Sequence, residues 1–283
     1  MEITNVCVIG SGIMGSGIAQ LTATHGFNVN VIDLNAEILN KAKNSIKKNL
    51  ERFYVAKNKI SEEDAEKILN KINLKTALPE AITDAQIVIE AVFENMELKQ
   101  RLFSELDTLC NKDVILASNT SSLSITDIAS KCKYQERIIG IHFFNPPPVM
   151  KLIELIRGKK TSDVVLERSK SFSESLNKTV VSIKDSPGFV TSRLIYVLCN
   201  EAIDMLREGI ASAEDIDTAC KLAFNFPMGP LELSDLVGND IYYHIGEYLS
   251  KKLGKKYRTS SLLKDMVNDG SLGRKTRRGF YKY

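Results

Sequence analysis

The chain has 283 residues, 43% hydrophobic and 26% charged, with 7 prolines, which suits a globular protein of about two domains and excludes a disordered or fibrous chain. A formal charge of +3 is too weak to argue for nucleic acid as a partner, and the apolar runs fall short of the roughly 20 residues that cross a membrane. Cys7, Cys110, Cys132, Cys199 and Cys220 form no C-x-x-C pair and no secretory pattern follows Met1, so reduced thiols and a cytoplasmic location are expected.

Residues 3–9 are a β-branched run ended by Gly10, and Ile13, Ile18 and Leu21 follow at helical spacing, which predicts strand, tight turn and helix. Residues 27–32 read as a second strand. Further strand candidates are 87–92, 114–117, 138–142, 152–156 and 179–183, mostly separated by helical segments. That alternation calls for a parallel sheet covered on both faces, because parallel neighbours need crossover connections that are usually helical. Residues 1–184 are therefore expected to form a Rossmann-like, doubly wound α/β domain.

Two consecutive helical patterns interrupt it over about 36–72, the second opening at Ser61-Glu-Glu-Asp64 with an N-cap and an acidic first turn. They predict a helical hairpin inserted after the second strand. At Asp185-Ser-Pro-Gly-Phe189 the pattern changes and strand signals largely cease, so 185–283 is expected to be an all-α C-terminal domain. Its long first helix carries Leu194, Leu198, Ala202 and Met205 on one stripe and ends at Gly209; other helices are expected at 213–222, 241–253 and 260–268.

Gly10-Ser-Gly12-Ile13-Met14-Gly15 is a G-x-G-x-x-G loop between strand and helix. Its glycines allow a tight turn, close approach of a pyrophosphate and close helix–strand packing, and the helix N-terminus offers N–H groups to phosphate. Asp33 ends the second strand, where an acid can accept hydrogen bonds from the adenine ribose. With no arginine at Leu34 or Asn35, NAD is expected rather than NADP. The alternative for Asp33 is a cap of the next helix.

His142 stands at the carboxyl end of a predicted strand, where open α/β sheets place ligands, and Glu154 is an acid on the next strand. Together they suggest a general acid/base; an exposed Glu154 is the competing reading. Ser118-Asn-Thr-Ser-Ser122 reads first as a capped turn. His25 and His244 read as capping or packing residues, and no metal is expected because ligand spacing is absent. The insertion carries Lys41, Lys43, Lys47, Lys48, Arg52, Lys57 and Lys59, a solvated face or a polyphosphate handle.

Taken together, these residues resemble the L-3-hydroxyacyl-CoA dehydrogenase family, especially its short bacterial 3-hydroxybutyryl-CoA dehydrogenases, over nearly the whole chain. The marks are the glycine loop with Ser-Gly-Ile-Ala-Gln20 after it, Ile89-Glu-Ala-Val-Phe-Glu-Asn95, Ser118-Asn-Thr-Ser-Ser122, His142-Phe-Phe-Asn-Pro146 and Pro227-Met-Gly-Pro230. The resemblance implies an NAD-dependent enzyme acting on an acyl-CoA. It makes His142 the base, Glu154 its orienting partner and Ser121 a hydrogen-bonding partner of the substrate's reacting oxygen. It also implies Glu94, Lys99, Asn119 and Lys275 near the cofactor, Asn145 at the catalytic centre beside it, and Ser192 facing the substrate. Arg52, Lys57 or Lys59 would meet the coenzyme A phosphates, and at least a homodimer would form through the helical domain. Two positions depart from the family pattern: Ser192 replaces an asparagine and Arg277 a glycine. Competing readings are a dehydrogenase of a non-CoA hydroxy acid and a non-catalytic, crystallin-like nucleotide-binding protein.

Overall fold

The β-branched N-terminal run forms β1 (Asn5–Ile9), an interior strand of an eight-stranded sheet. The other strands are β2 (Asn28–Ile32), β3 (Ile72–Lys75), β4 (Ile87–Glu90), β5 (Ile115–Ser118), β6 (Ile138–Phe143), β7 (Leu152–Arg157) and β8 (Thr179–Lys184), in the order β3-β2-β1-β4-β5-β6-β7-β8. This computed structural model describes residues 2–283, divided into one unit ending at Asp185 and another, Ser186–Tyr283. The expected boundary lay between 184 and 185.

β3, β2, β1, β4, β5 and β6 are mutually parallel. The expectation of an all-parallel sheet needs correction at β7, which runs antiparallel to β6, with β8 parallel to β7. The segment between β6 and β7 holds Pro146, Pro147 and Pro148 and no helix, so the chain turns back beside β6 without a crossover. β3 was also absent from the sequence reading. It has four residues, of which only Ile72 is buried, too little for an alternation signal.

The helices of the first unit are α1 (Ile13–Thr24), α2 (Ala36–Leu50), α3 (Glu62–Asn70), α4 (Leu78–Ile82), α5 (Met96–Leu109), α6 (Ile125–Ile128) and α7 (Asp163–Ser175). α2 runs into a π-helical turn, Glu51–Val55, before α3. Ser61 and Asp64 close a capping box at the start of α3, satisfying two N–H groups that helix geometry leaves unpaired. The base of this hairpin is no appendage, because Leu39, Ile46, Leu50, Ala65 and Leu69 join the core formed by the sheet and α1.

The second unit holds α8 (Thr191–Arg207), α9 (Ala213–Phe224), α10 (Pro230–Val237), α11 (Asn239–Leu253) and α12 (Ser261–Asn268). α10 had no place in the sequence reading; Pro230 starts this helix, where its missing N–H costs nothing. The expected stripe on α8 is also rotated. Tyr196, Cys199, Ala202 and Ile203 face this unit's core, while Leu194 is 67% exposed. Gly209 ends α8 at φ +71°, and the N–H groups of Gly209 and Ile210 reach the carbonyls of Leu206 and Met205. Among the described residues, no helix is long and apolar enough to cross a membrane, and no group of three His, Cys, Asp or Glu could hold a metal ion.

Candidate active site

Gly10 leaves β1 at φ +95°, and a Cβ there would lie 2.6 Å from the Ala91 carbonyl oxygen. A Cβ on Gly15 would come within 1.8 Å of the Gly10 oxygen, so any side chain would push α1 off the strand. Gly12 differs, since a Cβ there meets nothing within 4 Å; its smallness leaves room above the turn. Gly12 supplies no side-chain cap to α1, and the first turn holds no acid. With exposed Ile13 and half-buried Met14, the turn therefore offers helix N–H groups and open space to a pyrophosphate. The residues present fit a dinucleotide.

Asp33 follows β2. Its Oδ2 accepts hydrogen bonds from the Ser11 N–H and hydroxyl, both at 2.7 Å, and Oδ1 accepts from Leu34 N–H at 2.7 Å. The cap of α2 is Asn35 instead, which accepts from Ile38 N–H. Burial raises the Asp33 pKa, but the Ser11 hydroxyl and the N–H groups of Leu34 and Ser11 outweigh it and hold the carboxyl below its ordinary range. Ser11 had no place in the sequence reading.

His142 and Glu154 are directly opposed in the β6–β7 pair, so their side chains rise from the same face of the sheet. The Nδ1 of His142 lies 2.8 Å from Glu154 Oε2, with His142 5% and Glu154 0% exposed. The reading of Glu154 as an exposed strand residue is thereby overturned. The Phe144 ring packs 4.4 Å from the imidazole, centroid to centroid.

The turn after β5 is braced from two sides. Glu94 Oε1 accepts from the Thr120 hydroxyl, from Ser121 N–H at 3.0 Å and from Ser122 N–H at 3.3 Å. Asn119 Oδ1 accepts from Phe143 N–H at 2.9 Å, which ties this turn to the end of the strand bearing His142. Ser121 itself is exposed. The Lys99 ammonium is 1% exposed and lies between the Glu90 carboxylate and, at 3.3 Å, Glu94. Glu90 was missed, although an acid ending the apolar strand Ile87-Val-Ile-Glu90 is the kind of buried polar group that signals a site.

A family model described as the NAD binding domain of 3-hydroxyacyl-CoA dehydrogenase matches residues 5–186, and one for its C-terminal domain matches residues 188–283. The chain belongs to the 3-hydroxyacyl-CoA dehydrogenase family. It is 45% identical over 284 residues to a probable 3-hydroxybutyryl-CoA dehydrogenase of Bacillus subtilis (strain 168), covering 100% of this chain and 98% of that one. With the 3-hydroxybutyryl-CoA dehydrogenase of Clostridioides difficile it shares 44% identity, covering 98% of this chain and 99% of the relative. The crystal structure of an (S)-3-hydroxybutyryl-CoA dehydrogenase from Ralstonia eutropha matches with a TM-score of 0.96 at 41% identity, over 100% of this chain and 99% of the other.

In this dehydrogenase the carboxyl ends of the parallel strands gather the expected residues of the first unit: Gly10, Gly12 and Gly15 after β1, Asp33 after β2, Glu94 after β4, Asn119 and Ser121 after β5, and His142 near the end of β6. Asn145 follows β6 and is exposed, joined to Pro146 by a cis peptide bond. Arg52 and Lys57 lie over the Phe53 ring at 5.2 and 5.7 Å, and Lys59 over Tyr54 at 5.6 Å. These three gather at the far end of the hairpin, whereas Lys41 pairs with Glu37, Lys47 with Glu66, and Lys43 with the Ile72 carbonyl. Two residues belong to the second unit: Ser192, half-buried in the first turn of α8, and Lys275, whose ammonium is held by Asp240.

Proposed function

We propose that this chain interconverts (S)-3-hydroxybutyryl-CoA and acetoacetyl-CoA, with NAD as the hydride carrier and the His142–Glu154 pair handling the proton. The buried 2.8 Å contact between Nδ1 and the carboxylate carries the reading. A carboxylate accepts only, so Nδ1 bears the hydrogen and Nε2 presents a lone pair as base. On oxidation Nε2 takes the 3-hydroxyl proton while Glu154 stabilises the imidazolium that forms. On reduction the same nitrogen returns the proton to the new alkoxide. The exposed hydroxyl of Ser121 donates to the reacting oxygen in both directions.

Bound NAD supplies only the acceptance or donation of hydride. The glycine turn and the α1 N-terminus hold its pyrophosphate, and Asp33 Oδ1 takes a ribose hydroxyl. Glu94, Asn119 and Asn145 line the nicotinamide end, with Lys99 and Lys275 completing the set carried over from the family. Arg52, Lys57 and Lys59 meet the phosphates of coenzyme A, and the exposed Phe53 ring beside them suits its adenine. Ser192 contacts the acyl portion. A homodimer forms through α8, whose exposed Leu194 and Val197, with Val190 just before the helix, line an open, mostly apolar groove with Phe189, Leu198 and Tyr257. The five free thiols agree with work in the cytoplasm.

The test is NADH depletion with acetoacetyl-CoA, longer 3-oxoacyl-CoAs and free 3-oxo acids. Turnover of acetoacetyl-CoA, lost by about 100-fold or more in His142→Gln, supports the reading. A preference for the free acids, or full activity of that variant, overturns it. Light scattering of wild type and Leu194→Asp tests the dimer, which the variant should weaken.

A further inference from the structure

The stretch Ser16-Gly17-Ile18-Ala19-Gln20 is one of the marks of the family, yet the hydride and proton steps give Gly17 no part. Gly17 stands in the second turn of α1, where the backbone is ordinary helix. Inside a helix glycine is less favourable than alanine, so its cause lies outside α1. A Cβ there would lie 2.6 Å from Pro147 Cδ and 2.9 Å from Pro147 Cγ. The helix and the loop after β6 therefore meet with no room for a methyl group.

That loop, residues 144–151, carries Asn145 and also Phe144, whose ring packs 4.4 Å from the His142 imidazole. It is stiffened by the Pro146 carbonyl, which accepts from the N–H groups of Val149 at 2.9 Å and Met150 at 3.1 Å. Pro147 is buried and is gripped twice, by its ring at α1 and by its carbonyl at Lys178. The half-buried Lys178 ammonium donates to the carbonyls of Pro147 at 2.8 Å and Met150 at 2.7 Å.

We propose that Gly17 and Lys178 are positioning residues, which seat Pro147 and thereby set where Phe144 meets the His142 ring and where Asn145 stands at the catalytic centre. This rests on the role given to His142 above. The Glu154 contact fixes the Nδ1 end of the imidazole and the Phe144 ring fixes its plane, so a shift of the loop turns Nε2 away from the substrate oxygen. An added methyl at Gly17 displaces the loop rather than the helix, because Gly15 already holds α1 against the Gly10 carbonyl with no spare room. To reach ordinary carbon–carbon separation the proline ring must move by roughly 1 Å, and a misplacement of that size costs rate.

The experiment compares Gly17→Ala, Pro147→Ala, the double variant, Lys178→Met, Lys178→Arg and His142→Gln in three readouts: kcat for acetoacetyl-CoA, the NADH dissociation constant by fluorescence titration, and Tm. Gly17→Ala should lower kcat by about 10-fold or more, with NADH affinity within about threefold of wild type. Its Tm should move by only a few degrees, because the helix preference of alanine offsets the crowding. In the double variant the crowding Cδ and Cγ are gone and the Cβ of residue 147 lies at an ordinary 3.5 Å, so most of the lost kcat should return. Lys178→Met should lower kcat in the same way and Lys178→Arg less, since a guanidinium still donates to two carbonyls; wild-type kcat in Lys178→Met removes Lys178 from the role. With His142→Gln impaired, a Gly17→Ala kcat within twofold of wild type, or a double variant no faster than Gly17→Ala, overturns the positioning role alone. A fall in NADH affinity as large as the fall in kcat overturns it as well, by showing that the pyrophosphate turn moved instead of the loop. Wild-type kcat in His142→Gln overturns both this proposal and the role of His142.

Discussion

Glu154→Gln separates the charge of the partner from its shape. Glu154 is fully buried with its oxygen 2.8 Å from His142 Nδ1, and His142 is itself only 5% exposed. Charge appearing on the imidazole is therefore weakly screened. A hydrogen bond between charged groups contributes about 1.5–3 kcal/mol and a neutral one about 0.5–1.5 kcal/mol. The amide keeps the second and loses the first. The transition state, in which the ring becomes imidazolium, should lose about 1–2 kcal/mol, or about 5- to 30-fold in kcat. If the amide turns its NH2 to Nδ1, the ring takes the opposite tautomer and the loss grows further. In the resting enzyme a neutral histidine faces a neutral amide and no charge is left unpaired, so Tm should move by only a few degrees. Steady-state kcat in both directions, with NADH titration and thermal melts as controls, provides the assay. In a His142→Gln background the second substitution should have almost no further effect, because the charge it stabilises never forms. A kcat within twofold of wild type, or strictly additive losses in the double variant, refutes the reasoning.

NADH should outperform NADPH in kcat/KM because Asp33 would oppose a 2′-phosphate, and Asp33→Ala should narrow the gap; equal use of both by the wild type defeats this. The Asp33 carboxyl, held below its ordinary range in the fold, contributes stability that is present above the unfolded aspartate range near about 3.9 and fades as pH falls through the lower folded value. Thermal melts of Asp33→Asn should therefore lie below wild type at neutral pH, with the difference closing only in strong acid. Arg277 sits at φ +57°, a left-handed conformation that suits glycine, so Arg277→Gly should leave stability unchanged or raise it by up to about 1 kcal/mol; a lower urea midpoint speaks against it. Ser192→Asn should raise kcat/KM for acetoacetyl-CoA by about 2- to 10-fold through a recovered hydrogen bond, and a clear fall shows instead that the surroundings have adapted to serine. Neutralising Arg52, Lys57 and Lys59 together should raise KM for acetoacetyl-CoA but leave KM for a short acetoacetyl thioester without phosphates unaltered; equal effects on both remove these residues from coenzyme A recognition.

The sequence by itself determined the features that depend on near neighbours in the chain. The strand, glycine turn and helix at Gly10–Gly15 were legible because the turn needs φ beyond the reach of side chains, and because a Cβ at Gly15 has no room. The capping box at Ser61 and Asp64 and the end of α8 at Gly209 were legible for the same local reason. What lay beyond sequence were the relations between distant segments. β7 follows β6 after residues 144–151, too few for a parallel crossover, yet which residue stands opposite His142 is set only by the register of the pair. The face of α8 that enters the core depends on what α9, α10 and α11 bring to it, so Leu194 fits the apolar pattern yet lies exposed. Ser121 looked like part of a turn because hydroxyl residues cap turns far more often than they meet substrates. Lys99 carried no sign of burial, since a lysine in an amphipathic helix is ordinarily solvated; it is buried here because Glu90 and Glu94, brought to it by the end of β4, supply the charge that makes burial tolerable.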